Sequence, residues 1–257
     1  MITFAAFHMD IRKQDLADIQ DIISTVIVKE EPRLYLETAL DSCRAKHPGC
    51  RTVVLSDSAT PFPTDAGYEV FRVDGLDPAR LMFSRSHAWT RFLEREDSHV
   101  VYLDGDMLIQ EDLEPLFERE FDAGLTYRDG VPNWPINAGI QFFHRRRLDR
   151  GVAFLRDCLR LFETRYQAAA AWGGDQDALR DMTVGADFTR TDTHLWRSAD
   201  GYDLLLLPCA QYNFSTREET MPGPYPGIPV LHFKGKRKDD MLPYWRQHLA
   251  PKTGGPL

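Results

Sequence analysis

No apolar run in this sequence approaches the ~20 residues that a membrane-spanning helix needs, so it offers no transmembrane candidate. Residues 1–10 lack a basic stretch followed by a long apolar one, and no secretory leader is expected. Cysteine is scarce. Cys43, Cys50, Cys158 and Cys209 are the four in 257 residues, and no two stand in C-x-x-C spacing. That excludes a disulfide framework and points to reduced, mostly buried thiols in a cytoplasmic protein. An excess of positive charge is also missing. Against 39 Asp and Glu stand 31 Lys and Arg, a formal charge of −8, which argues against a general nucleic-acid binder. A small local basic pocket for a phosphate remains compatible with that balance. There is no internal repeat and no low-complexity tract.

What is present is the composition of an ordinary soluble protein, 43% apolar and 27% charged, long enough for a substantial core. Segment 2–7 reads as a first strand, with His8, Met9 and Asp10 at its carboxyl end. Residues 11–31 are open between a lid and an irregular insertion. Pro32 to Lys46 reads as a helix, with Pro at its start and Leu36, Ala39, Leu40 and Cys43 along one face. Strands are predicted at 52–55 and 68–73, followed by a helix that Asp77 caps and Pro78 opens, carrying Leu81, Ala88, Trp89 and Phe92. After a strand at 100–103 come a short acidic helix over 112–120, strands at 124–127 and 136–143, and a helix over 148–167. That helix has Val152, Leu155, Leu159, Phe162 and Tyr166 on one face. A glycine turn at 173–174 leads into another helix, residues 181–200 stay ambiguous, and strands at 202–207 and 229–233 precede a short terminal helix over 240–249. The alternation predicts an α/β fold, one domain over residues 1–257, with a mostly parallel central sheet flanked by helices.

The chemistry centres on Val100-Val101-Tyr102-Leu103-Asp104-Gly105-Asp106. A buried strand here delivers two carboxylates to the carboxyl edge of the sheet, where ligands of open α/β sheets sit. Gly105 lets the backbone turn closely there. Two hard oxygen ligands at such an edge suit Mg²⁺ or Mn²⁺ bridging a diphosphate; the plainer reading is that both aspartates cap the following turn. Arg85 likewise has two readings. It is the snorkelling edge of an apolar helix stripe, or a positive charge aimed into a site.

Five signals stand in fixed order: Ser84-Arg85-Ser-His-Ala-Trp89, Tyr102-Leu-Asp104-Gly-Asp106, Asn137-Ala-Gly139, Gly173-Gly-Asp175-Gln176 and His232-Phe-Lys-Gly235-Lys-Arg-Lys238. This succession, over roughly residues 50 to 240, resembles the glycosyltransferases of the GT-A fold. Within them it is most similar to glycosyltransferase family 8, the group that includes glycogenin and bacterial galactosyltransferases. The resemblance implies a metal-dependent transfer of a sugar from a nucleoside-diphosphate sugar, with UDP as the expected nucleotide, to an unknown acceptor, with retention of configuration. It implies Asp104, Asp106 and His232 as metal ligands; imidazole beside two carboxylates suits Mn²⁺ better than Mg²⁺. It implies Lys238 at the diphosphate and Gly235 where the backbone approaches the phosphates. Arg85, Asn137 and Gly139 are placed at the donor. Asp175 and Gln176 flank the anomeric carbon, with Gln176 supporting the positively charged sugar and Asp175 or Asp177 available for a double displacement. On this reading metal binding weakens below about pH 6 as His232 protonates.

Each of these has a plainer reading: His232 as the end of a core strand, Asn137 as a turn residue, Asp175 as the N-cap of its helix. Lys234, Lys236 and Arg237 read as solvated charge. Trp134 and Trp172 are open between sugar stacking and ordinary packing. The sequence departs from the family pattern at Asp239-Asp240, where Pro-Trp is usual, and over its first thirty residues, which normally read the nucleobase. Two other classes are kept beside the transferase. One is a domain of the same fold that binds or regulates without catalysis, against which the intact Asp104, Asp106, Gln176 and His232 argue. The other is a sugar-phosphate nucleotidyltransferase, whose glycine-rich loop after the first strand is missing from Phe7-His8-Met9-Asp10-Ile11-Arg12.

Overall fold

The computed structural model describes residues 1–11, 32–215 and 223–251. Beyond Ile11, the ambiguous stretch 11–31 lies outside the described residues. The first elements are β1 (Ile2–Phe7), α1 (Pro32–Lys46), β2 (Arg51–Ser56), β3 (Glu69–Arg72), α2 (Leu81–Leu93) and β4 (His99–Leu103). Then follow β5 (Met107–Ile109), β6 (Ala123–Tyr127), β7 (Ile136–Phe143), α3 (Leu148–Arg165) and α4 (Gly174–Met182). The last are β8 (His194–Arg197), β9 (Asp203–Pro208), α5 (Cys209–Tyr212), β10 (Phe214–Ser215), β11 (Val230–His232) and α6 (Lys238–Tyr244). None of the described helices is long and apolar enough to cross a membrane.

Eight strands form the main sheet in the order β3-β2-β1-β4-β7-β6-β9-β8, and β7 and β8 run against the other six. A second, small sheet has the order β10-β11-β5. The inner strands are covered on both faces, which is why they read as continuous apolar runs rather than alternating ones. On one side Phe4, Ala6, Val54, Val101 and Leu103 pack against Leu36, Ala39, Leu40 and Cys43 of α1, together with the small sheet and α6. On the other, Ala5, Val53, Leu55, Val100 and Tyr102 pack against α2, α3 and α4. Successive residues of one strand thus serve opposite cores.

Some local expectations shift. Asp77 caps a short 3₁₀ turn, Pro78–Arg80, through Ala79 N–H, and the α-helix begins one residue later. The acidic helix over 112–120 is a 3₁₀ segment, Glu114–Glu118, and Cys158 rather than Leu159 completes the buried stripe of α3. The terminal helix starts earlier, at Lys238, and passes into a wider turn over Trp245–Leu249. Strands β5, β8 and β10 have no counterpart in the sequence reading. They are two to four residues long, too short for any periodicity to register. The four cysteines are free thiols.

One packing unit reaches from the core to the sheet edge. The Tyr102 ring stacks on Trp89 with centroids 4.8 Å apart, and its hydroxyl donates to the Trp89 carbonyl at 2.5 Å. Burial raises the Tyr102 phenol well above its ordinary pKa, so it stays a neutral donor. Tyr102→Phe removes that bond inside a closed core and is expected to cost about 1 kcal/mol. Urea unfolding of the two proteins checks it, and an unchanged midpoint would show that the hydroxyl contributes nothing.

Candidate active site

Strand β4 leaves the main sheet after Leu103, turns through Asp104-Gly105-Asp106, and continues as β5 into the small sheet. There β5 meets β11 antiparallel, with Met107 opposite His232. The Phe233 N–H donates to the Asp106 carbonyl at 2.9 Å and carries the ladder one step past the strands. This backbone pairing puts His232 beside the aspartates. Its Nε2 lies 3.0 Å from Asp106 Oδ1 and 3.8 Å from Asp104 Oδ2, and one ligand atom from each of the three falls within 4.8 Å of the others. Two donors bound at right angles to one ion at about 2.1 Å are about 3 Å apart, so the closest edge has the size an octahedral cation requires. A Cβ on Gly105 would make only ordinary contact, 3.5 Å from Leu36 Cα, so close packing does not demand glycine there.

Gly139 is the tighter case. A Cβ at this position would come within 2.7 Å of His232 Cε1 and 3.0 Å of Asp104 Oδ2, so any side chain would displace the cluster. The pairing of β6 with β7 breaks register here, passing from Leu125–Gln141 to Thr126–Asn137, so residues 138–140 bulge toward the site. Asn137 Oδ1 accepts from Gly139 N–H at 2.9 Å, and the Gly139 carbonyl accepts from Asp104 N–H at 2.8 Å. Asn137 is therefore a bulge-forming residue, and its Nδ2 makes no hydrogen bond among the described residues.

Arg85 is buried, 7% exposed, which decides between its two readings: the charge points inward. Its guanidinium lies over Trp89 at 4.7 Å, donates to Asp104 Oδ1 at 2.5 Å, and makes a second ion pair with Asp175 Oδ2. Asp175 does not cap α4. Gly173, in the left-handed region at φ 84°, holds the cap position, and Asp175 sits in the first turn with its carboxylate turned to Arg85. Gln176 Oε1 accepts from Arg128 Nη2 at 3.0 Å. Trp134 is held to the same helix, its Nε1–H donating to Asp177 Oδ1 at 3.1 Å, and a Cβ at Gly173 would lie 3.3 Å from its Cζ2. Trp172 is half-buried.

The electrostatics follow from burial. Loss of water pushes Asp104 up to about 6 even though Arg85 pulls the other way and Asp106 reinforces the rise. Burial also pushes Asp106 up, but the adjoining His232 ring and Lys238, whose Nζ is 3.2 Å from Oδ2, hold it below the usual carboxylate range. Burial drops His232 to about 4, so its ring is neutral at pH 7. Lys234, expected as surface charge, is largely withdrawn from water. Burial and the nearby Arg128 push it down to about 8. Gly235 takes φ 59°, a left-handed turn that brings Lys238 back to Asp106. Asp239 and Asp240 occupy the first turn of α6, where the helix dipole favours negative charge, which gives the family departure a local reason.

Arg128, Thr126 and Asn213 join the site without any sequence signal. Asn213 Oδ1 bonds His232 Nδ1 at 2.8 Å, Asn213 Nδ2 donates to Thr126 Oγ1 at 2.9 Å, and Thr126 Oγ1 donates to the Asn137 carbonyl at 3.0 Å. None stands in a recognisable spacing to the others.

The whole is a mixed α/β architecture with a possible Asp-Asp-His metal site at the carboxyl edge of its sheet. The fold is the one shared by GT-A-type glycosyltransferases. The glycosyltransferase GlyE of Streptococcus pneumoniae TIGR4 is 17% identical with a TM-score of 0.55, over 94% of this chain and 59% of that one. This chain thus spans about three-fifths of GlyE. The galactosyltransferase LgtC, solved with donor and acceptor sugar analogues, is 16% identical with a TM-score of 0.50, over 91% of this chain and 87% of that one. A glycosyltransferase involved in glycosylation of the major capsid of PBCV-1 is 12% identical with a TM-score of 0.53, over 95% and 98%. No protein-family model matches the sequence, and no curated protein does. At these identities the likeness is one of fold.

Burial of the site moves one expectation. The sequence assigns the weakening of metal binding near pH 6 to His232, whereas the structure puts His232 at about 4 and Asp104 at about 6. A cation needs Asp104 unprotonated, so affinity is flat well above 6 and falls as pH drops through 6, by roughly tenfold per unit for one proton displaced. Asp104→Asn is expected to bind Mn²⁺ more weakly at pH 7 and to lose that slope. Mn²⁺ titrations followed by electron paramagnetic resonance between pH 7.5 and 5 check this. A slope that survives the substitution would return the titration to another ligand.

Proposed function

We propose that this chain is a metal-dependent glycosyltransferase that takes a sugar from a nucleoside-diphosphate donor, UDP-linked, and passes it to a hydroxyl acceptor with retention of configuration. The observation that carries the proposal is the convergence of Asp104, Asp106 and His232 within 4.8 Å on a GT-A framework, with Asp175 and Gln176 on the adjoining helix. The donor set fits a divalent cation. It offers two carboxylate oxygens and a neutral imidazole nitrogen, with Gly139 leaving the space between them clear of a side chain. A cation bound there supplies Lewis-acid stabilisation for the diphosphate as its negative charge grows.

The remaining work falls to the chain itself. Arg85 fixes Asp104 and so holds one ligand in place, which makes it a positioning residue rather than a direct contact to the donor. Lys238 sets a positive charge beside Asp106, where the leaving phosphate gathers charge. The Nδ2 of Asn137, which has no partner among the described residues, is available to a donor hydroxyl. In the transfer, the acceptor oxygen bonds to the anomeric carbon, the bond from that carbon to the phosphate oxygen breaks, and the acceptor proton passes to that phosphate. Gln176 supports the developing positive charge from the other face, with Arg128 holding its amide. Both candidate nucleophiles are engaged, Asp175 with Arg85 and Asp177 with Trp134 and Arg180, which supports the front-face route over a covalent intermediate.

Incubation with Mn²⁺ and UDP-, GDP- and dTDP-sugars tests the reading by slow donor hydrolysis. Release of UDP that depends on Mn²⁺ is expected, and Asp106→Asn should lower it by about a hundredfold or more while keeping the side-chain volume. Mn²⁺-dependent UDP binding should fall with it. A variant that binds UDP with the same affinity and the same metal dependence would remove Asp106 from the site. Formation of pyrophosphate and a nucleotide sugar from sugar phosphate and triphosphate would instead favour the nucleotidyltransferase. No turnover with intact nucleotide binding would favour a non-catalytic domain.

A further inference from the structure

We infer that Asn213, steered by Thr126, is a positioning residue that keeps the Nδ1 proton on His232 and so presents the Nε2 lone pair to the cation. The inference rests on the metal-site reading above for its effect on affinity, and on hydrogen-bond geometry for the rest.

The hydrogen bonds around Asn213 orient its amide. The Asn137 carbonyl can only accept, so the single hydroxyl proton of Thr126 is spent on it at 3.0 Å. Thr126 Oγ1 can therefore only accept from Asn213, which turns the amide nitrogen of Asn213 toward Thr126 at 2.9 Å. Asn213 Oδ1 is then the atom that faces His232, and at 2.8 Å it requires a proton on Nδ1. Flipping the amide would set Oδ1 against a Thr126 oxygen with no proton left to give. It would also leave an N–H₂ facing a ring nitrogen that must then surrender its own proton. On the other side of the ring Nε2 lies 3.0 Å from Asp106 Oδ1, a contact that needs either a proton or a cation between the two, so the arrangement is complete when a cation occupies the site.

Burial makes the choice stringent. Thr126, Asn213 and His232 are 0%, 1% and 4% exposed, so water cannot replace a lost partner. The chain of bonds also closes on the metal site from both sides. From His232 it runs through Asn213 and Thr126 to the Asn137 carbonyl. From the Asn137 side chain it runs through Gly139 to the Asp104 N–H. One bulge in β7 thus sets both the backbone of one acid ligand and the tautomer of the imidazole ligand. The partner of a metal-binding imidazole fixes which nitrogen is free and how the ring is turned, and its loss costs metal affinity about 10–100-fold.

The test reads the proton and the metal separately. Nitrogen-15 NMR of the wild-type protein with Mg²⁺ present, with His232 assigned by His232→Gln, is expected to show a protonated Nδ1. A bare Nδ1 in a protein that still binds Mn²⁺ would overturn the inference and leave the metal reading standing. A protonated Nδ1 with no Mn²⁺ binding would instead remove the metal reading, and the proposed effect on affinity with it. Among variants, Asn213→Leu is expected to lower Mn²⁺ affinity about 10–100-fold. Asn213→Asp keeps an acceptor for Nδ1–H and should hold affinity near wild type. A purely structural role predicts the reverse order, since Asp buries a charge where Leu buries none. If Asn213→Leu does not fold, the Asp variant and the wild-type spectrum decide. Wild-type affinity in Asn213→Leu, or a loss in Asn213→Asp as large as in Leu, would refute the assignment.

Discussion

The candidate site depends on the antiparallel contact between β5 and β11. Those three residue pairs, with the Phe233 N–H on the Asp106 carbonyl, join a turn at one end of the main sheet to a segment more than a hundred residues later. Without that ladder His232 ends a strand with nothing to face. With it, an imidazole stands 3.0 Å from a carboxylate, and backbone hydrogen bonds rather than side-chain attraction bear the constraint. That matters energetically. Two acids and an imidazole do not assemble spontaneously in a buried place, so a rigid scaffold has to impose their approach.

The same scaffold handles the cost of gathering acids. Asp104, Asp106 and Asp175 converge, and each is given a cation: Arg85 serves Asp104 and Asp175, and Lys238 serves Asp106. Arg85 is itself supported by Trp89, which stacks on Tyr102 from the strand that delivers the aspartates. The apolar core and the polar site are therefore continuous. A perturbation of the Trp89–Tyr102 stack reaches Asp104 through a single side chain. Asp104 still keeps a pKa of about 6, because burial outweighs the help from Arg85. An acid strained in this way gains more from a bound cation than a relaxed one does.

Much of this was legible in the sequence for a definite reason. Strand β4 and helices α1, α2 and α3 are long enough for apolar periodicity to show, and Asp104 and Asp106 follow directly from where β4 must end. The alternation of strands and helices and the order of the five motifs carried the fold. What stayed hidden was short or non-local. Strand β5 has three residues, yet it accounts for how His232 arrives. The structure pairs β11 with the segment that follows the aspartates, and that pairing brings His232 to them.

Residue chemistry was fixed by sequence: which positions carry carboxylates, imidazole, guanidinium and glycine, and in what order along the chain. Partnership was decided only by tertiary structure. An arginine on an apolar helix stripe reads equally as a snorkelling edge or a buried charge until Asp104 and Asp175 are seen on either side of it. Asn213 and Thr126 are ordinary polar residues in the sequence, 87 positions apart, and acquire a role only because the fold brings Thr126 to Asn213 and Asn213 to the imidazole of His232. Local patterns record the periodicity of single elements. A hydrogen-bond network is a property of several elements at once, and no window along the chain contains it.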